Sequence, residues 1–249
     1  MATDLTLETG IPLYQRIARW LENQIGSGLL QSGDRVPSER QIADELGASR
    51  MTARQAIKSL EKRGLVETRV GRGVFVAHPV IEKESRTLHG FTEEMQRGGR
   101  NVSSMVLDAC VGIADAEVAR GLEIAENTLV HRLVRVRLVD AEPLAIERTE
   151  IPVALAPGLL ERSDFSRDSL YRVLREEYGV APTEAEETVR ADLADATAVS
   201  ALRVATTAPV LRFTRRTFDS AGRPLEYVRS VYRADCFSMR VKLSLTKAQ

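Results

Sequence analysis

Cysteine is scarce in this sequence. Cys110 and Cys236 are the two, far apart and without the short spacing of metal ligands. That argues against a disulfide framework or a zinc-held scaffold, and the pair reads as reduced thiols of a cytoplasmic protein. Histidine is scarce too. His78, His89 and His131 are scattered, so neither a metal nor another cofactor is expected, and no nucleophile–base pair stands out. A charge of one sign is also lacking, because 35 Lys and Arg are balanced by 35 Asp and Glu. Overall charge therefore selects no polyanionic partner. No apolar run reaches the ~18 residues of a membrane span. The opening "MATDLTLETGIPLYQ" lacks the basic-then-apolar order of a signal peptide. A soluble, cytoplasmic protein without a membrane partner is the expectation.

What the whole chain lacks, one segment has. Between Arg35 and Arg72 the basic residues outnumber the acids, a modest local footprint of nucleic-acid binding. Leu13, Ile17, Leu21 and Ile25 recur every four residues and predict a first helix with one buried stripe, closed by Gly26 and Gly28. Ser38 is placed to cap a second helix carrying Ile42, Ala43 and Leu46, and Gly47 ends it. Ser49 can cap a third, with Ala53, Ala56, Ile57 and Leu60 inward and Gly64 after it. Leu65–Arg69 and Val74–Val76 then read as short strands around a Gly71-Arg72-Gly73 tip. This order is that of a winged helix-turn-helix.

Its third helix carries Arg50, Arg54 and Lys58 at spacings of four, on one stripe. Arg50 sits at the helix N-terminus, which favours phosphate, and arginine is the usual reader of guanine. The wing glycines let backbone come close to DNA, with Arg72 suited to the minor groove or a phosphate. A solvated basic face would have the same charges. The order of residues decides between them: "PSERQIADELGASRMTARQAIKSLEKRGLVETRVGRGVFVA" resembles the DNA-binding domain of GntR-family bacterial transcription regulators over about residues 11–77. The resemblance implies DNA contact by Arg40, Ser49, Arg50, Thr52, Arg54 and Gly71. Ala53 replaces a valine common in the family. One short recognition helix reads too few bases for specificity, so a homodimer on a pseudo-palindromic double-stranded DNA operator is expected.

Residues 78–88, polar and containing Pro79, read as a linker between a DNA-binding domain of residues 1–77 and a second domain of residues 89–249. The second domain reads as α+β, with a mainly antiparallel sheet. "LVHRLVRVRL" and "LAIERTEI" flank one turn, "VLRFTRRTF" and "LEYVRSVY" another, and a shared Asp…Pro-Leu pattern hints at an internal repeat. Between them "RDSLYRVLREEYGV" has helical spacing behind a cap at Asp168 or Ser169. "LHGFTEEM", "LVRVRLVDAEPLAIER", "SLYRVLREEYGV", "TEAEETV" and "RPLEYVRSVYRAD" together are similar to the effector-binding and dimerisation domain (UTRA) of the HutC subfamily, which has a chorismate-lyase-like fold. The likeness is nearest to those of its repressors that answer to amino-sugar phosphates.

Arg135 and Arg137 lie two apart on a strand, so both meet one face, where paired guanidinium groups suit a phosphate or carboxylate. Ser169 opens a helix, Tyr171 could add a donor, and Thr92 precedes a short helical stretch. Glu147, Glu226 and Tyr232 could accept from sugar hydroxyls or an amine. Cross-strand ion pairs and simple capping explain the same residues. The resemblance favours an effector site of Phe91, Thr92, Arg135, Arg137, Glu147, Ser169, Tyr171, Glu226 and Tyr232. It implies a repressor released by a small phosphorylated metabolite such as an amino-sugar 6-phosphate. A carboxylate or folate-like ligand, a lyase-like enzyme fused to a DNA-binding domain, and an architectural DNA-binding protein are the alternatives left standing.

Overall fold

The computed structural model describes residues 10–69, 71–77, 80–84 and 88–243. The chain divides into two compact units, Met1–Val80 and Ile81–Gln249. In the first, α1 (Leu13–Gly26), α2 (Glu39–Leu46) and α3 (Arg50–Lys62) precede a hairpin of β1 (Val66–Arg69) and β2 (Gly73–Val76). Ser38 caps α2 in a box with Gln41, and Ser49 caps α3 through the Thr52 amide. Gly47 takes a left-handed φ of 64°, which ends α2 and permits the tight turn into α3. Ile17, Leu21, Ile42, Ala53, Ala56, Ile57, Leu60, Val66 and Val76 share one core. The expected stripe on α1 is narrower at its ends: Leu13 is exposed and Ile25 only half-buried, because Ala18 shares the inner face.

The second unit is built on a six-stranded antiparallel sheet. Its strands are β4 (Val102–Ile113), β5 (Leu129–Val139), β6 (Glu142–Pro152), β7 (Glu184–Leu193), β8 (Pro209–Phe218) and β9 (Pro224–Arg233). They run in the order β4-β5-β6-β9-β8-β7. Helices α4 (Phe91–Arg97), α5 (Ala116–Leu122), α6 (Leu159–Arg162), α7 (Leu170–Tyr178) and α8 (Ala196–Leu202) join them. Helix, strand, helix, strand, strand occurs twice, as α4-β4-α5-β5-β6 and as α7-β7-α8-β8-β9. Asp115 and Asp195 cap the second helix of each repeat, and Glu123 and Arg203 end it with the same φ of 55°. The sheet order joins the repeats at β6 and β9 and leaves β4 and β7 as edges. Helix α5 packs on β9 and α8 on β6, so each repeat's helix covers the other repeat's strand. Gly121 makes the first of these contacts possible, since a Cβ there would lie 2.4 Å from the Tyr227 ring.

The segment 78–88, expected to be a linker, holds more than that. Ile81–Glu84 forms β3, a parallel partner of β10 (Phe237–Arg240), and Ile81 packs against the cluster around Phe213 and Phe237. No apolar period announces a strand this short, because its partner lies at the far end of the sequence. Residues 78–79 and 85–87 lie outside the described residues.

Candidate functional site

On α3, Arg50, Arg54 and Lys58 are exposed. Helical geometry of about 100° per residue puts Met51 and Gln55, with Lys58, squarely opposite the buried Ala53–Ala56–Ile57–Leu60 stripe. Arg54 stands to one side of that outward centre, and Arg50 farther round on the same side. Met51 is 67% exposed, a large apolar side chain presented to solvent beside Arg50. Neither Met51 nor Gln55 stood out in the sequence, though the buried stripe, once placed, fixes the opposite direction. Arg54 donates from Nε and Nη2 to the two oxygens of Glu39 on α2, at 2.8 and 2.9 Å. Those hydrogen bonds hold the Glu39 carboxyl below its ordinary range and use Nε and Nη2 of the fork. The Ser49 hydroxyl lies 2.8 Å from that of Thr52 and accepts from the Thr52 amide, so both residues shape the first turn. Arg40 is exposed beside Asp44. Gly71 stands at φ 73° at the wing tip with Arg72 exposed next to it.

In the second unit, residues from several elements line one hollow with about 350 Å³ of atom-free space, part of it open to solvent. Gly90, Phe91 and Thr92 come from α4 and its cap, Arg135 and Arg137 from β5, and Glu147 and Thr149 from β6. Ser169, Leu170 and Tyr171 open α7, Arg215 lies on β8, and Glu226 and Val228 lie on β9. Period two explains the convergence: Arg135 and Arg137, Glu147 and Thr149, Arg215, and Glu226 and Val228 all stand on the same sheet face.

Arg135 and Arg137 are only 2% exposed. Arg135 donates to Glu147 at 2.5 Å. Arg137 donates to the Thr92 hydroxyl at 2.8 Å and lies 4.4 Å over the Phe91 ring. Among the described residues, Nε and Nη1 of both guanidinium groups have no hydrogen-bond acceptor. Burial, and then the adjacent Arg135, push the Arg137 pKa down to about 10. Burial favours the neutral form of Glu147, yet Arg135 and Arg137 hold its carboxyl below the ordinary range. Glu226 goes the other way. Burial raises it, although it accepts hydrogen bonds from Tyr171 and, at 2.8 Å, from Thr217. Three arginines against two carboxylates, one of them favouring its neutral form, give a cationic hollow. Buried donors without acceptors in such a place suit an anion with several oxygens.

Eight of the nine expected effector residues meet there. Tyr232 does not line the hollow: it is buried behind Phe91, 5.0 Å from the Phe213 ring and 4.2 Å from that of Phe237. It shares the sheet face with Glu226, but β3 and β10 cover its end of β9 with apolar residues. Ser169 lines the hollow and also caps α7. Arg215 was missed, and two signals mark it: alternation with Phe213 and Thr217, and a place in the second repeat that matches Arg135 in the first. His131 is a buried core histidine, its Nε2 2.8 Å from the Ala156 carbonyl oxygen.

Comparison with known proteins bears on both units. Residues 13–76 match the model of the gntR family of bacterial regulatory proteins, and residues 97–238 match the UTRA domain. The HTH-type transcriptional repressor NagR of Bacillus subtilis is 34% identical over 235 residues, 94% of this chain and 96% of that one. The histidine utilization repressor of Pseudomonas aeruginosa is 32% identical over 85% of this chain and 83% of its own. Among solved structures, PhnF from Mycobacterium smegmatis has a TM-score of 0.68 at 28% identity, with 92% of this chain and all of that chain covered.

Proposed function

This chain belongs to the gntR family of bacterial regulatory proteins, in its HutC subfamily with a UTRA effector domain, and from that premise we propose how its two units divide the work. The first unit reads a pseudo-palindromic operator as part of a homodimer, because one short α3 reads too few base pairs alone. Arg54, aimed by Glu39, takes guanine; Met51 and Gln55 meet a thymine methyl and an adenine edge; Arg40, Ser49, Arg50, Thr52, Gly71 and Arg72 hold or approach the backbone. The second unit binds a small phosphorylated metabolite, an amino-sugar 6-phosphate, whose arrival releases the repressor. The protein works in the cytoplasm, where the operator is.

The observation that carries the effector reading is the pair of buried arginines with four nitrogens lacking acceptors. A phosphate supplies enough oxygens for them, while Glu147 and Glu226 remain to accept from an amine or hydroxyls. The resemblance of the effector unit to repressors that answer to amino-sugar phosphates favours an amino-sugar ligand; the histidine utilization repressor, by its name, keeps a carboxylate in the comparison. A thermal-shift panel decides. Glucosamine 6-phosphate at a hundred times its Kd should stabilise the fold by about 2.7 kcal/mol. Glucosamine without phosphate should do nothing, and a panel in which urocanate alone shifts the transition would replace phosphate by carboxylate.

A further inference from the structure

Strand β3 is the first element after the DNA-binding unit, which ends at Val80. Its Lys83 is 9% exposed, an unusual setting for lysine. Lys83 Nζ lies 2.5 Å from Glu187 Oε2 on the edge strand β7 and 5.2 Å from the Phe213 ring centroid. The other oxygen of Glu187 accepts from Arg215, at 2.9 Å from Nε and 2.8 Å from Nη2. Arg215 in turn lines the hollow. One carboxylate thus joins a cation on β3 to a cation at the effector site, each through its own oxygen. Glu94, in α4 two residues beyond Thr92, also feels Lys83 and Arg215. Burial drives the Lys83 ammonium toward its neutral form, with Arg215 adding to the push.

Ile81 already anchors β3 in the apolar cluster, and the parallel ladder to β10 adds backbone bonds. A methionine at position 83 would hold that seat without the cost of burying a charge. The ions therefore do something that packing does not. An anion beside Arg215 shares its positive charge, so less of that charge is left to neutralise Glu187. The pull of Glu187 on Lys83 then grows. We propose that Lys83, Glu187 and Arg215 form an ion relay through which an anion in the hollow tightens the seating of β3, and with it the stretch of chain that carries the DNA-binding unit. The relay rests on the hollow being an anion site.

By reciprocity, tighter seating of β3 must raise anion affinity by the same factor. The test uses the full chain with glucosamine 6-phosphate and, in a second arm, inorganic phosphate. Amide exchange in residues 81–84 of the wild type should slow by about fivefold or more on saturation. Lys83→Met keeps the apolar stem and removes the charge. In that variant the slowing should vanish, the affinity for the anion should fall by the same factor, and the effect of the anion on operator affinity should shrink. Glu187→Gln interrupts the chain from the other side and serves if Lys83→Met does not fold. A folded variant in which the anion changes operator affinity as fully as in the wild type overturns the relay. So does wild-type binding with no slowing at β3, which leaves the anion site standing. If neither probe binds the wild type, the anion site itself falls and the relay falls with it.

Discussion

The candidate-site arginines of the two units live in opposite surroundings. Arg54 of α3 keeps 53% of its side chain in solvent, whereas Arg135 and Arg137 keep 3% and 2%. An exposed guanidinium needs no fixed partner, tolerates many neighbours and meets a polyanion by displacing its counterions. A buried one must be matched, atom by atom, by carboxylates, hydroxyls and rings, and what is left unmatched defines its ligand. The DNA-binding unit is thus a surface with few internal commitments. The effector unit keeps its candidate site inside its core, where the same residues would serve recognition and stability.

Breaking the buried set should have the largest effect. Arg135→Ala strips Glu147 of its nearest cation and should destabilise the second unit by about 3–5 kcal/mol while abolishing anion binding. Arg137→Ala, whose partners are a hydroxyl, a ring and, at 3.9 Å, Glu147, should lose anion binding at less structural cost. Calorimetry on a folded Arg137→Ala that still showed normal anion affinity would remove the site from the hollow. Next comes the exposed set. Arg54→Ala should weaken operator binding by about 1–3 kcal/mol and relax preference at one base pair. Its melting should move little, because solvent screens an exposed pair with Glu39. A uniform loss over all DNA sequences with a reduced salt slope would make Arg54 a phosphate contact instead.

The smallest effect sharpens the contrast within the hollow itself. The Glu226 carboxyl is raised in the fold, so its contribution to stability is present below the ordinary carboxylate pKa and is lost as pH rises through the raised value. Glu226→Gln keeps an acceptor for Tyr171 and Thr217 without the charge. Its melting temperature should exceed that of the wild type by a margin that widens from pH 4 to pH 8. A margin that narrows, or a variant less stable at pH 8, would show that the ionised carboxylate is the favoured form.

The two units were also unequally legible. The helix-turn-helix is written in local signals: Ser38 and Ser49 cap, Gly47 turns, and the stripe from Ala53 to Leu60 sets the inward face. In the effector unit the hairpins and α7 could be read from alternation and helical spacing, but β4 and β7 could not. They are edge strands with mostly exposed residues, and their alternation carries little signal. Strand β3 depends on a partner at the other end of the chain. Arg135 and Arg137 were visible because they neighbour each other on one strand, while Arg215 lies on a strand separated from theirs by β6 and β9 and is marked only by alternation and by its match to Arg135 in the repeat. Tyr232 shows the converse limit, since sharing a sheet face with Glu226 did not bring it to the same hollow.

The exchange of α5 and α8 between the repeats has a consequence for how the effector unit melts. Removing either half uncovers a strand of the other, with Tyr227 losing the bare backbone of Gly121 that it rests against. Each half thus takes its cover from the other, and the sheet is expected to come apart as a whole. The hollow draws one wall from each half, Arg135 and Glu147 from the first and Arg215 and Glu226 from the second. A molecule held there would touch both halves and act as a clasp across their joint.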